Sequence, residues 1–182
     1  MKKELPDRIS VQNTLYLRSV ASVDAEDFLK ILQENQSHFT NFEFQSPTFS
    51  ELAEVQAAIN SLKEYQENRC GVSYGFWDQT QLIGLITINK IDWIEESADI
   101  GIWLVENATG KGLAFKSLKA IIEVCWNILN LKTLTAHTAL SNIKCQCLLE
   151  KLSFTKTQLL KNHIKVRGQN VDEYQYQLAK PQ

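Results

Sequence analysis

The chain has 182 residues, with 19 basic against 21 acidic side chains and a formal charge of −2. That length suits one domain with a core of its own, and the even balance, with no stripe of Lys and Arg, argues against a nucleic-acid binder whose affinity rests on neutralising phosphates. No apolar run nears the length of a membrane span, and the opening "MKKELPDRIS" has no apolar stretch behind its lysines, so a cytoplasmic protein without membrane or nucleic-acid partners is expected.

The first element in chain order is "TLYLRSV" (Thr14–Val20), which alternates as a strand does. Oxygen side chains at Ser22 to Asp24 can cap a helix that buries Phe28, Leu29, Ile31 and Leu32. The segment "HFTNFEFQSP" that follows is aromatic and polar at once, and reads either as covered surface or as the lining of a substrate groove. "TFSE" (Thr48–Glu51), behind Pro47, has the form of a capping box and opens a helix with Leu52, Val55, Ile59 and Leu62 on one face.

A β-rich middle comes next. Gly71–Asp78, Gln81–Ile91 and Ser97–Val105 are joined by short polar turns, which predicts an antiparallel meander. A helix over about residues 112–130 carries Ala114, Leu118, Ile121, Ile122, Cys125 and Leu129 on one face, and a strand at Thr133–Leu140 follows it. Strand, helix and strand of these lengths make a parallel crossover. A helix over residues 142–151 and a hairpin around "RGQN" (Arg167–Asn170) close the chain. The class is mixed α/β, with a sheet part antiparallel and part parallel.

Metal chemistry finds no support in the spacing. His38, His137 and His163 are scattered, and Cys145 and Cys147 form a C-x-C that on a helix points its thiols to opposite sides. With Cys70 and Cys125 they are too sparse for a disulfide scaffold, so reduced thiols and no metal are expected.

The turn "TGKGLA" (Thr109–Ala114) sits between an apolar strand and a helix. A helix start offers unpaired N–H groups and the positive end of a dipole, and Gly110 and Gly112 remove the Cβ atoms that would hold an anion away. A Walker A loop is excluded, because Val105 stands at its first glycine and Gly112 follows the lysine. A dinucleotide loop fails at Phe115, and no acidic residue ends the next strand. The turn resembles the pyrophosphate loop of the GNAT superfamily of N-acetyltransferases, Gln/Arg-x-x-Gly-x-Gly/Ala. Gly112 and Ala114 are in place, and Thr109 departs from Gln/Arg. Alone, such a turn reads equally as a simple chain reversal.

Three longer stretches sharpen the likeness. "ADIGIWLVENATGKGLA", "LIGLITINKIDW" and "SNIKCQCLLEKLSF" resemble the ribosomal-protein N-acetyltransferase branch of that superfamily. Asn142 matches the branch's Asn-x-x-Ser helix, while Cys145 stands where Ser is usual and Ser153 where Gly is usual. The likeness runs over about residues 15–178.

The resemblance implies the GNAT fold: a mainly antiparallel central sheet, flanked by helices, with a parallel strand pair splayed at the acetyl-CoA site. It implies transfer of an acetyl group from acetyl-CoA directly to a primary amine, first of all the N-terminal amine of a ribosomal protein. Branch relatives also acetylate small amines such as polyamines or antibiotics, and a non-catalytic CoA-binding module is the remaining alternative. The branch often dimerises, which leaves a homodimer open.

By the same resemblance the backbone of Trp103, Leu104 and Val105 meets the pantetheine, and an N–H near Val105 faces the oxyanion. The amides of Thr109, Gly110, Lys111, Gly112, Leu113, Ala114 and Phe115 hold the pyrophosphate, with Lys111 adding charge from the rim. Asn142 bonds the pantetheine amides, or caps its helix, or both. The general base is Asp99 by position or His137 by its titration range, and each also reads as structural. Glu95, Glu96 and Glu106 read as turn charges. Cys145 stands where the branch places the proton donor to the leaving sulfur. It reads otherwise as a small buried hydrophobe, and as a nucleophile it lacks a His-Asp partner by spacing.

Overall fold

The computed structural model describes residues 5–40 and 49–181. The strands are β1 (Arg8–Gln12), β2 (Leu15–Ser19), β3 (Val72–Asp78), β4 (Gln81–Asp92), β5 (Ser97–Leu104), β6 (Thr133–Ala139), β7 (Thr155–Val166) and β8 (Gln169–Ala179). The helices are α1 (Ala25–Glu34), α2 (Gln36–Thr40), α3 (Leu52–Glu67), α4 (Leu113–Asn127) and α5 (Ile143–Lys151). All eight strands form one sheet in the order β1-β2-β3-β4-β5-β6-β8-β7. Every pairing is antiparallel except β5 with β6, as a meander followed by a crossover through α4 requires. Among the described residues no helix is long and apolar enough to cross a membrane.

Local chemistry sets the helix starts. Asp24 caps α1 by accepting from the Glu26 amide at 2.8 Å, and Glu26 and Asp27 lie in the dipole-favoured first turn. The box that opens α3 sits three residues later than the sequence suggests. Glu51 is the N-cap, and the Glu54 carboxylate accepts from the amides of Ser50 and Glu51 at 2.8 and 3.1 Å. The Glu51 side chain accepts from the Glu54 amide and completes the box; of the segment read as covered surface or groove lining, residues 38–40 fall in α2 with Phe39 buried, and residues 41–47, with Thr48, lie outside the described residues. On α3 Val55 and Ile59 are buried, Leu62 packs partly on the core and Leu52 is exposed.

Strand β1 was not anticipated. Its five residues alternate polar and apolar, but only Ile9 and Val11 are apolar and neither is fully buried, and it gains order by pairing with β2 across a turn at Asn13, whose φ is 41°. Helix α4 stops at Asn127 rather than near residue 130, but Leu129 stays buried as its amide bonds the Val124 carbonyl at 3.0 Å. The core lies between the sheet and its helices. Leu118, Ile121 and Cys125 of α4 share it with Tyr74, Phe76, Ile86, Leu134 and Tyr176 of the sheet. Each such side chain contributes roughly 1.5–3 kcal/mol on leaving water.

One close approach fixes β4 against the end of β5. A Cβ at Gly84 would collide with the Trp103 carbonyl oxygen and stand 3.1 Å from the Leu104 Cα. Gly84→Ala is therefore expected to destabilise the protein by about 1–3 kcal/mol, read as a lower urea midpoint with an unchanged m-value.

Candidate active site

The site begins where a strand ladder stops. β5 and β6 pair over Ser97↔Thr133, Ala98↔Leu134 and Asp99↔Thr135 and no further. Beyond that point β5 follows β4 and β6 follows β8, so the two parallel strands diverge. Alternate β5 residues aim their backbone groups to opposite sides. The Val105 amide donates to Ile83 O at 2.9 Å and Thr87 Oγ1 to Gly101 O at 3.5 Å, so the odd-numbered residues face β4. Thr135 Oγ1 donates to Ala98 O at 3.4 Å, so the even-numbered ones face β6. The backbone groups of Ile102 and Leu104 thus look into the gap, where no strand pairs with them.

Of the three residues expected to offer backbone there, Leu104 does so and two do not. The Val105 amide, at the position expected for the oxyanion donor, is committed to Ile83. Trp103 faces β4 with its backbone and sends its ring to the α1 and α2 side, with centroids 6.1 Å from Phe28 and 5.0 Å from Phe39. Ile102 was missed, because which residues face the gap depends on the ladder's parity, which composition does not reveal.

The glycine turn lies at the open end. After β5 a 3-10 turn over Glu106–Ala108 is tied to α1, the Glu106 amide donating to Asn35 Oδ1 at 3.2 Å. Thr109 Oγ1 donates back to Glu106 O at 2.8 Å, so this hydroxyl closes its own turn. Gly110 and Gly112 adopt φ of 75° and 72°, the left-handed region glycine favours, and a Cβ on either would meet nothing within 4 Å. Gly112 is the N-cap of α4 and has no side chain to cap with. The first helical bond is Lys116 N to Gly112 O, at 3.2 Å. The amides of Leu113, Ala114 and Phe115 therefore have no helical acceptor, and the first turn holds no acidic residue. Lys111 is exposed at the rim. This is an open anion cradle at the positive end of a four-turn helix.

Asn142 caps α5, its Oδ1 accepting from the Cys145 amide at 3.1 Å, which leaves the Nδ2 group for a second partner.

The two alternative bases form one pair. His137 Nδ1 lies 2.8 Å from Asp99 Oδ2, to which Thr135 Oγ1 also donates at 3.0 Å. The hydrogen bond that the ring donates to Asp99 holds the imidazole above its ordinary pKa; burial opposes this, the charges of Asp99 and Glu173 reinforce it, and Lys90 offsets part. A second pair stands beside it, His163 Nδ1 being 2.6 Å from Glu173 Oε2, with the His137 and His163 ring centroids 5.2 Å apart. Sequence spacing carried no sign of His163 or Glu173, because a register irregularity between Leu160 and Ile164 sets how β7 meets β8.

Cys145 lies on the other side of the sheet. Burial pushes its thiol up, opposed by the hydroxyl of Thr138. Thr138 follows His137 in β6, and successive residues of a strand point to opposite faces. The imidazole–carboxylate pair and the thiol therefore flank the gap from opposite faces. A buried thiol held in its neutral form is a poor nucleophile. Cys125 is fully buried, its pKa pushed up to about 12 by burial, and Cys147 is exposed.

A forked parallel pair with an uncapped glycine helix start at its mouth is the architecture of an N-acetyltransferase that takes its acetyl group from a coenzyme A thioester. Residues 14–155 match the acetyltransferase (GNAT) domain, and the chain belongs to that family. It is 33% identical over 132 residues to the uncharacterized N-acetyltransferase p20 of Bacillus licheniformis, covering 72% of this chain and 73% of that protein. It is 27% identical over 164 residues to the spermidine N(1)-acetyltransferase of Vibrio cholerae, covering 89% and 91%. Among solved structures it is similar to RimL, a ribosomal L7/L12 alpha-N-protein acetyltransferase in complex with coenzyme A, with a TM-score of 0.87, 19% identity and coverage of 94% and 97%. The family and the splayed mixed sheet implied by the sequence resemblance are thus present.

The His137–Asp99 bond has a signed consequence for stability. Because the folded imidazole is held above its unfolded value of about 6.5, the bond's contribution is fully present below that pH and is lost as pH rises through the folded value. Asp99→Asn is expected to lower the His137 midpoint in an NMR titration. Its stability deficit in urea should be largest on the acid side and narrow on the alkaline side.

Proposed function

We propose that this enzyme transfers the acetyl group directly from acetyl-CoA to a primary amine at the β5–β6 fork, with a protein N-terminus as its first acceptor. The observation that carries this reading is the imidazole–carboxylate pair and the buried thiol on opposite faces of one strand gap. The residues present suit the donor. The edges of Ile102 and Leu104 can pair with pantetheine amides as a strand would, Asn142 Nδ2 can reach a further one, and the turn from Thr109 to Phe115 offers its amides and the rim charge of Lys111 to the pyrophosphate.

The chemistry then follows from what each group holds. His137, oriented by Asp99 through Nδ1, takes the proton of the ammonium on Nε2 and leaves a neutral amine. The amine nitrogen attacks the thioester carbon, and a backbone N–H on the gap side of β5, that of Leu104 or Ile102, meets the oxygen as it becomes negative. Collapse of the tetrahedral species breaks the carbon–sulfur bond, and the Cys145 thiol gives its proton to the departing thiolate. His137 passes its proton to water and takes the second N–H proton as the nitrogen becomes an amide; that proton also leaves to water, and Cys145 regains one from the same source. The direct route needs no acyl-enzyme: burial keeps the Cys145 thiol neutral and disfavours it as a nucleophile.

A polyamine acceptor is the second reading, favoured by the likeness to a spermidine acetyltransferase over most of the chain. Thiol release from acetyl-CoA separates the two, with peptides bearing free N-terminal Ser or Ala in one arm and spermidine or aminoglycosides in the other. Turnover with peptides alone upholds the first acceptor; turnover with spermidine alone replaces it. In either case acetyl-CoA at a hundredfold excess over its Kd is expected to add about 2.7 kcal/mol of stability, and no shift in Tm at saturation would overturn the donor. Cys145→Ala is expected to lower kcat by roughly 10- to 100-fold with the Kd for acetyl-CoA almost unchanged; an unaltered kcat removes the thiol from the mechanism.

A further inference from the structure

Four ionisable side chains from four strands meet on the His137 face of the sheet, and the proposed reaction uses only two of them. Asp99 comes from β5, His137 from β6, His163 from β7 and Glu173 from β8. Lys90, at the end of β4, is the remaining charge that acts on His137. The contacts fall into two imidazole–carboxylate bonds, His137 Nδ1 to Asp99 Oδ2 at 2.8 Å and His163 Nδ1 to Glu173 Oε2 at 2.6 Å. The rings stand 5.2 Å apart and inclined by 34°. The Glu173 side chain is only 10% exposed.

Two carboxylates, Glu173 buried and Asp99 partly exposed, therefore flank one proposed base. A carboxylate with no donor of its own in such a place is costly and seeks the nearest N–H. His137 stands beside the His163–Glu173 pair: its ring centroid lies 5.2 Å from that of His163, and the Glu173 charge acts on it. Were Glu173 to bond it, the ring would be shared between carboxylates on two strands. Its second nitrogen, the one a substrate amine needs, would become a donor instead of an acceptor. With His163 taking up Glu173, that nitrogen stays uncommitted.

We propose that His163 is a positioning residue: by occupying Glu173 it leaves His137 bonded to Asp99 alone, with Nε2 available to the substrate amine. The proposal rests on the reading of His137 as general base. It gives the two members of the second pair opposite effects. Removing His163 frees Glu173 to hold the proton on His137, whereas removing the charge of Glu173 takes away a carboxylate that favours that proton. A pair that served only to brace β7 against β8 would move both variants the same way, and in stability alone.

The test follows the His137 ring by NMR titration in the full chain, alongside the acid limb of kcat/KM with acetyl-CoA and an accepted amine, in His163→Ala, His163→Gln and Glu173→Gln. In His163→Ala both midpoints should rise by about half a pH unit or more, and in Glu173→Gln both should fall by a similar amount. His163→Gln, whose amide can still donate to Glu173, should return them close to the native values. The KM for acetyl-CoA should stay constant throughout. Superimposable His137 titrations in folded variants overturn the proposal, as do shifts of one sign in His163→Ala and Glu173→Gln. Opposite ring shifts that the acid limb fails to follow leave the positioning role standing and overturn His137 as the base.

Discussion

The structure depends on a ladder that is allowed to stop. β5 and β6 pair through three residue positions and then part, and what keeps the fork open is the completeness of the ladders outside it. β4 accompanies β5 from Asp99 to Leu104, and β8 accompanies β6 from Thr133 to Ala139. Each diverging strand is thus satisfied along one edge and presents the other. In a closed sheet those inner N–H and C=O groups would be paired, and leaving them without partners in a dry interior is costly. Water, or a ligand shaped like a strand, is what such an edge can accept. The binding reading grows from this unfinished pairing more than from any side chain.

The same topology brings helix starts to the fork. A parallel pair runs both strands toward one end, so the turn out of β5 and the turn out of β6 emerge together, one leading to α4 and the other to α5. The first start is capped by glycine and offers bare amides, while the second is capped by Asn142 and closed on itself. The difference suits two tasks. An open cradle can receive a charged group, whereas a capped turn holds Cys145 still beside Thr138. The crossover that made one strand pair parallel therefore also sets both helix starts, the bare glycine turn and the Asn142-capped turn that carries Cys145, beside the fork.

Much of this was legible in the amino acids because it is local. Alternation in Thr14–Val20, the helical stripe of Leu118, Ile121, Ile122 and Cys125, and the glycines at 110 and 112 each follow from a period or a backbone demand that neighbours alone impose. What was not legible is set by register. Asp99 and His137 are far apart in the chain and were weighed as rivals; the alignment Asp99↔Thr135 makes them a bonded pair. Ile102 rather than Trp103 or Val105 joins Leu104 at the gap for the same reason. Strand β1, short and at the sheet edge, takes its order from β2, and His163 reaches the site only through an irregular stretch of β7.

The end of β5 belongs to both sides of the fork at once. Its even-numbered backbone groups face the gap, its last turn carries the glycine cradle, and its Trp103 ring is wedged between Phe28 of α1 and Phe39 of α2. The bond from the Glu106 amide to Asn35, the C-cap of α1, ties the same strand end to the same helices. Because Asp99 and Trp103 are alternate residues on one face of β5, α1 and α2 lie on the face that also carries the His137 pair. A shift of the strand end large enough to change the cradle would have to carry Trp103 with it, and through Phe28 and Phe39 the helices beside the base. The donor cradle and the face from which an amine must approach are therefore built on one rigid length of backbone, so their spacing is set by the fold rather than by loop conformation.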